Sequence, residues 1–256
     1  LHMLLPHVPY RYLPDGTLYP GPDVQPGGDE GIWIDDNAAT DLGRQRELLQ
    51  VGYADALVGE LMDTMQAAGT WDDALVIVTA DHGNAFLPGL SQRGTGEGNW
   101  NDDLFPQIAW VPLFVHYPGA STGETSDANV EGVDIVPTIA DVLGVDIPWE
   151  VDGVSMLDPT GRLTGQKVFY EAFSVDGQVD AGDRVEIDGD EYYPQVLAQG
   201  VDGFLAPAGE PLRWWRVGPG TDLVGRTVED IGIVDEGTGD LSVSLDQDSF
   251  GNDIDP

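Results

Sequence analysis

Apolar positions along the chain change their period several times, and each change marks an element. Leu75-Val76-Ile77-Val78 is an unbroken run of large apolar residues, three of them β-branched. It predicts a buried strand of an α/β sheet. The run gives way to Asp81-His82-Gly83. Upstream, Leu49, Tyr53, Leu57, Leu61 and Met65 recur every four residues, one face of an amphipathic helix predicted from Gly43 to Gly69. Trp71-Asp72-Asp73 supplies the turn between helix and strand. Downstream, Val111-Pro112-Leu113-Phe114-Val115-His116 reads as a short strand stopped by Pro118-Gly119, and Val133 to Thr138 leads into a helix ending at Gly144. Leu1 to Leu5 is strand-like until Pro6, and Arg11 to Gly31 is a long loop rich in Pro, Gly and Asp. Beyond Pro159, Gly165–Val185 and Tyr192–Val217 read as short strands with turns, a small α+β or β-rich region. Strands alternating with helices predict the α/β class.

Charge changes the picture more than composition does. Of 256 residues, 46 are acidic and 10 basic, and the formal net charge is −36. Lys167 is the only lysine. A surface of this sign opposes nucleic-acid binding, because it offers nothing to replace the counterions on a phosphate backbone. It equally opposes docking on anionic lipid. Any site for an anionic ester must therefore be made locally positive, and a metal ion does that. The absence of cysteine excludes disulfides, thiolate metal sites and a cysteine nucleophile within the chain. No apolar run approaches the roughly 18 residues that span a bilayer. Leu1 begins mid-pattern, without a starting Met or a basic leader, so the chain is expected to be a fragment of a longer protein.

Asp81 and His82 are the leading candidates for chemistry. Adjacent oxygen and nitrogen donors stand at the carboxyl end of a strand, where open α/β sheets place their ligand sites. Gly83 is expected to let the backbone turn away. On the residues alone, the pair serves equally well as metal ligands or as polar groups closing a strand. His7, between Pro6 and Pro9, is held on a stiff, extended segment that fixes the direction of its ring. A loop histidine stacked on Tyr10 or Tyr12 is the plainer alternative. His116, among apolar neighbours, reads as a core or sheet-edge residue.

The order of these parts resembles the sulfatase / alkaline phosphatase superfamily, in its sulfatase-like branch. There a long helix leads to a strand ending in Ser-Asp-His-Gly or Ser-Asp-Asn-Gly. A Val-Pro-Leu strand with a Pro-Gly stop follows, then an Asp-Leu-x-Pro-Thr helix and an Asp-Gly-x-Ser-Leu segment, here Asp152-Gly153-Val154-Ser155-Met156. The resemblance covers about Leu1 to Pro159. It implies a mixed β-sheet flanked by helices, with residues 1–159 the C-terminal part of the catalytic domain, 160–238 a small C-terminal sheet region and 239–256 an acidic, disordered tail. It also implies that Asp81 and His82 bind one divalent ion, calcium or magnesium first and manganese or zinc next, and that His7 faces the ester, to bind it or to protonate its leaving group. An extracytoplasmic or membrane-anchored parent fits the same likeness.

Departures from the family pattern limit what carries over. Where sulfatases often read Gly-x-Trp-Gly-Lys, this chain has Asn99-Trp100-Asn101-Asp102, so Asn101 or Asp102 falls near the sulfate-binding lysine. Trp110 stands where many have an arginine. Arg93 is then the expected anion clamp, its planar fork suited to tetrahedral oxyanions. No Cys/Ser-x-Pro-x-Arg motif is present, so the nucleophile is expected upstream and the chain alone is expected to be inert. The expected activity is metal-dependent hydrolysis of a sulfate or phosphate ester, small or linked to a glycan or lipid. Two alternatives stay open: a phosphoglycerol- or phosphoethanolamine-type transferase, and a noncatalytic relic of the fold.

Overall fold

Asp36 starts the one long helix. Its side-chain Oδ1 accepts a hydrogen bond from the Ala39 amide at 2.8 Å, so it caps an N-terminus that would otherwise leave that donor unpaired. In the computed structural model, residues 1–18, 28–29, 31–93, 104–126, 128–158, 165–175 and 178–191 are described, with positions 223, 226, 227 and 230. Among the candidates, Asn101 lies outside the described residues, as do Trp214-Trp215-Arg216, residues 192–217 and the acidic tail.

The elements in order are β1 (Gly28–Asp29), β2 (Ile32–Trp33), α1 (Asn37–Ala67), β3 (Val76–Thr79), α2 (Phe105–Ala109), β4 (Leu113–His116), α3 (Ile135–Leu143), β5 (Gln166–Val175) and β6 (Gln178–Asp188). The described strands form three antiparallel pairs, β1 with β2, β3 with β4 and β5 with β6. The chain divides into two compact units. The first is drawn from Leu1–Glu60, Asn84–Gly94 and the few described positions of Ala198–Pro256, and the second from Leu61–Gly83 and Thr95–Leu197.

Helix α1 begins six residues earlier than its apolar stripe predicts, because Asp36 rather than Gly43 sets the start. Its fully buried positions are Thr40, Gly43, Arg46 and Gln50, a largely polar row at three- to four-residue spacing. The predicted stripe from Leu49 to Met65 is only half-buried. The helix stops as expected at Gly69 (φ +68°). There the Thr70 amide reaches Met65 O and the Gly69 amide reaches Gln66 O, both at 3.0 Å, the paired bonds of a Schellman ending.

In the first unit, Trp33 is the hub. It is 1% exposed, its indole Nε1 donates to Ala85 O at 2.6 Å, and its ring packs on Phe86. Backbone bonds Trp33 N to Leu90 O and Gln92 N to Gly31 O bind the segment after Gly83 to β2.

In the second unit, β3 pairs with β4 in a register that sets Val76 opposite His116 and Thr79 opposite Leu113. The strand predicted as buried is half-buried, since β4 is its single partner among the described residues. The Asp134–Thr138 motif is scaffold, with Asp134 joining Glu131 in a capping box at the helical turn before α3. Asp134 is buried, and its carboxylate accepts from the Glu131 amide and from the Val154 amide, each at 2.8 Å. Thr138 Oγ1 donates to Asp134 O and accepts from the Met156 amide. A Cβ on Gly153 would collide with Val133 O, so glycine is required where this loop meets the start of α3. The two distant motifs are thus one clasp. Strands β5 and β6 pair antiparallel along their length, with a register irregularity between Tyr170 and Ala172, where short strands were expected.

Candidate functional site

Asp81 and His82 follow β3 within the second unit. The local fold brings their side chains together: His82 Nε2 lies 3.8 Å from Asp81 Oδ2, and the His82 amide donates to Asp81 Oδ1 at 3.0 Å. His82 Nδ1 lies 2.7 Å from Gly83 O. A carbonyl can only accept, so Nδ1 carries the proton in that bond and the neutral ring keeps its lone pair on Nε2. This is the tautomer a metal ligand needs. The Asp81 side chain is 87% exposed and that of His82 36%, so solvent ions reach both.

Gly83 serves a purpose other than the one its turn suggests. Its amide donates to Ile108 O at 2.6 Å, and a Cβ there would collide with Gln107 O. Close approach of the segment around α2, and not an unusual φ, demands glycine, and it fixes the backbone just after His82.

The donor set fits a divalent ion in kind but supplies only part of a coordination shell. Calcium takes about six to eight oxygen ligands and magnesium about six. Among the described residues no group of three or more His, Cys, Asp or Glu side chains converges on one point.

His7 and Arg93 both fall in the first unit, and both are exposed. His7 does not stack on a tyrosine; Tyr12 packs on Tyr53 and Tyr10 on Phe86. Its Nδ1 lies 2.6 Å from Val8 O, which again leaves the lone pair on Nε2. His116 is structural: its ring stacks on Trp71 at 4.1 Å, and Nε2 donates to Trp71 O at 3.1 Å.

Sequence reasoning missed the groups that hold this region of the first unit. Gln50 has no exposed surface. Its Oε1 accepts from the Arg11 and Tyr12 amides at 2.8 and 3.2 Å, and its Nε2 donates to Pro6 O and His7 O at 2.9 and 2.8 Å. Asn84 Nδ2 donates to the buried Tyr10 hydroxyl at 2.6 Å. Burial pushes the Glu47 carboxyl up to about 8, against the opposing pull of Arg44 and a hydrogen bond from Asn84. Burial also drives the Tyr10 phenol far above its ordinary value, helped by the Glu47 charge and opposed by Arg93. The one sequence signal for these residues was the row of small and polar side chains on α1 that precedes the apolar stripe.

A model of the Sulfatase family matches residues 23–145. Choline-sulfatase of Rhizobium meliloti is 33% identical over 120 residues, 44% of this chain and 21% of that protein. N-acetylglucosamine-6-O-sulfatase of Bacteroides thetaiotaomicron is 31% identical over 112 residues, 43% and 18% of the two chains. Low-salt glycan biosynthesis sulfotransferase Agl7 of Haloferax volcanii is 28% identical over 158 residues, 61% and 35%. The aligned part thus spans about a fifth to a third of these relatives. With α1, β3 and the Asp81–His82 pair inside the matched stretch and sulfatases among its relatives, residues 23–145 are a stretch of the sulfatase / alkaline phosphatase superfamily.

Proposed function

We propose that the chain is part of a sulfatase-like hydrolase that acts on a sulfate ester with one divalent metal ion. The single observation that carries this reading is the Asp81–His82 pair, its donors 3.8 Å apart at the end of β3 within the family-matched stretch. Asp81 would offer a hard carboxylate and His82 its Nε2 lone pair, as two of the ion's ligands, with the remainder coming from residues outside this set. When bound, the ion supplies positive charge to the nonbridging oxygens of the ester. His7 is the residue for the leaving-group side: Nδ1 is engaged with Val8 O, so Nε2 binds the ester oxygen or delivers a proton to it. Arg93 and Asn101 are assigned to the anion. On this reading residues 1–159 belong to the catalytic domain, built on a mixed sheet flanked by helices, with 160–238 a smaller C-terminal region and 239–256 a tail.

In the full-length protein, Asp81→Ala or His82→Ala loses bound metal and turnover of an aryl sulfate together. Unchanged metal content and unchanged turnover in both variants overturn the reading. Assaying the matching aryl phosphate in parallel separates sulfate from phosphate esters.

A specific observation favours a second reading, transfer of the sulfuryl group to an acceptor rather than to water. Of the three relatives given, the one aligned over most of this chain, at 61%, bears the name sulfotransferase. Release of inorganic sulfate supports hydrolysis. Its absence, with a sulfated acceptor formed in its place, supports transfer.

A further inference from the structure

We infer that Gln50 is a positioning residue for His7, acting through the backbone of residues 6–12. The inference rests on the role given to His7 above. Residues 6–12 contain two prolines, Pro6 and Pro9, which carry no N–H, and no described strand pairs with His7 to Tyr10. A segment of this kind has no ladder to hold it, so its polar backbone groups need partners from elsewhere. Gln50 supplies them from the middle of α1. Its two amide protons go to Pro6 O and His7 O and its oxygen takes the Arg11 and Tyr12 amides, so every donor and both lone pairs are engaged. The amide's orientation is fixed by chemistry: N–H groups can only face its oxygen, and carbonyls can only face its nitrogen.

The grip falls on both sides of the His7-Val8-Pro9-Tyr10 turn, and one of its four bonds is to His7 itself. The His7 amide is held in addition by Leu4 O at 2.8 Å. With its carbonyl and amide both fixed, and its ring tied through Nδ1 to Val8 O, His7 has one direction in which to present Nε2. Gln50 is buried within the first unit, and all four of its partners are backbone atoms of residues 6–12. Its influence on an ester therefore passes through the neighbouring segment.

A double-mutant cycle in the full-length protein tests this. Gln50→Glu keeps an acceptor for the Arg11 and Tyr12 amides but sets a carboxylate oxygen against Pro6 O and His7 O. We expect it to lower kcat for an aryl sulfate by about tenfold to a hundredfold, the scale of a misplaced catalytic group, with metal content unchanged. In the His7→Ala background the same substitution is expected to cost less than about twofold, because the group it positions is gone. A loss of the same size in both backgrounds assigns Gln50 a general structural role and overturns the inference. Should His7→Ala leave turnover intact, the role of His7 falls first, and the inference with it. A readout independent of turnover covers variants that fold poorly: long-range 1H–15N spectra of the His7 ring. Both Gln50→Glu and Gln50→Leu are expected to shift the ring from the Nδ1–H toward the Nε2–H tautomer as its backbone loosens. An unchanged tautomer in the folded variant contradicts the inference.

Discussion

A carboxyl that holds its proton to about pH 8 inside a chain carrying 46 acids is the sharpest residue-scale feature outside the candidate ligands. Glu47 is desolvated, with Arg44 and Asn84 only partly offsetting that cost, and its charge in turn raises the Tyr10 phenol. Its folded pKa is raised, so the folded state binds a proton that the unfolded chain releases near 4.5. The associated stability is full below about pH 4.5, declines above it and is lost as pH rises through about 8. Glu47→Gln is therefore expected to melt with the parent at the acid end of that window and above it at the alkaline end. A melting-temperature difference constant across the window contradicts the assignment. Asp81 and His82 were legible because their relation is sequential: two donors at one strand's end. Gln50 was not, because its partners are backbone atoms 38 to 44 residues away, and nothing in the identity of those residues announces them.

At the scale of elements, capping residues were read more surely at helix ends than at helix starts. Gly69 and Gly144 both stop their helices at positive φ, as glycine in that conformation must, and both were evident from sequence. The start of α1 was missed because Asn37 to Asp41 looks polar and Gly43 looks like a break, while the deciding atom is Asp36 Oδ1. Asp36→Ala is expected to cost about 1 kcal/mol in chemical denaturation, with the transition slope unchanged. No change in midpoint would remove Asp36 from the cap. Strands β3 and β4 were both legible as short apolar runs, but their antiparallel pairing was not, since pairing direction depends on a connection whose path apolar periodicity does not encode. Gly83 joins these elements to the site. Gly83→Ala forces a methyl against Gln107 O, and an overpacking cost of about 1–3 kcal/mol is expected, with weaker metal uptake as the backbone behind His82 shifts. Wild-type stability in that variant would show that the close approach relaxes freely.

Across the whole molecule, net charge is the dominant physical fact. A formal charge of −36 on 256 residues repels itself, and salt screens that repulsion over a Debye length of about 10 Å at ~0.1 M, falling to about 3 Å at ~1 M. Melting temperature is expected to rise on going from ~0.1 M to ~1 M potassium chloride. A flat or falling trend means that the acids are locally compensated. On the proposed function, the same surplus makes a bound cation the natural way to draw a sulfate ester to such a surface. No helix among the described residues is long and apolar enough to cross a membrane. The likeness of residues 23–145 to sulfatases emerged from sequence because several short motifs kept their order. Their contacts then explained the order in one case, where Asp134 and Thr138 hold the Gly153–Met156 loop.

Whether Asp81 and His82 grip a divalent cation is read out by calorimetric titration of the metal-free, full-length protein with calcium, magnesium or manganese. The parent is expected to take up one ion, and Asp81→Ala and His82→Ala are each expected to lose that binding while the folded far-UV signal stays the same. Equal affinity and stoichiometry in the parent and both variants would contradict that expectation.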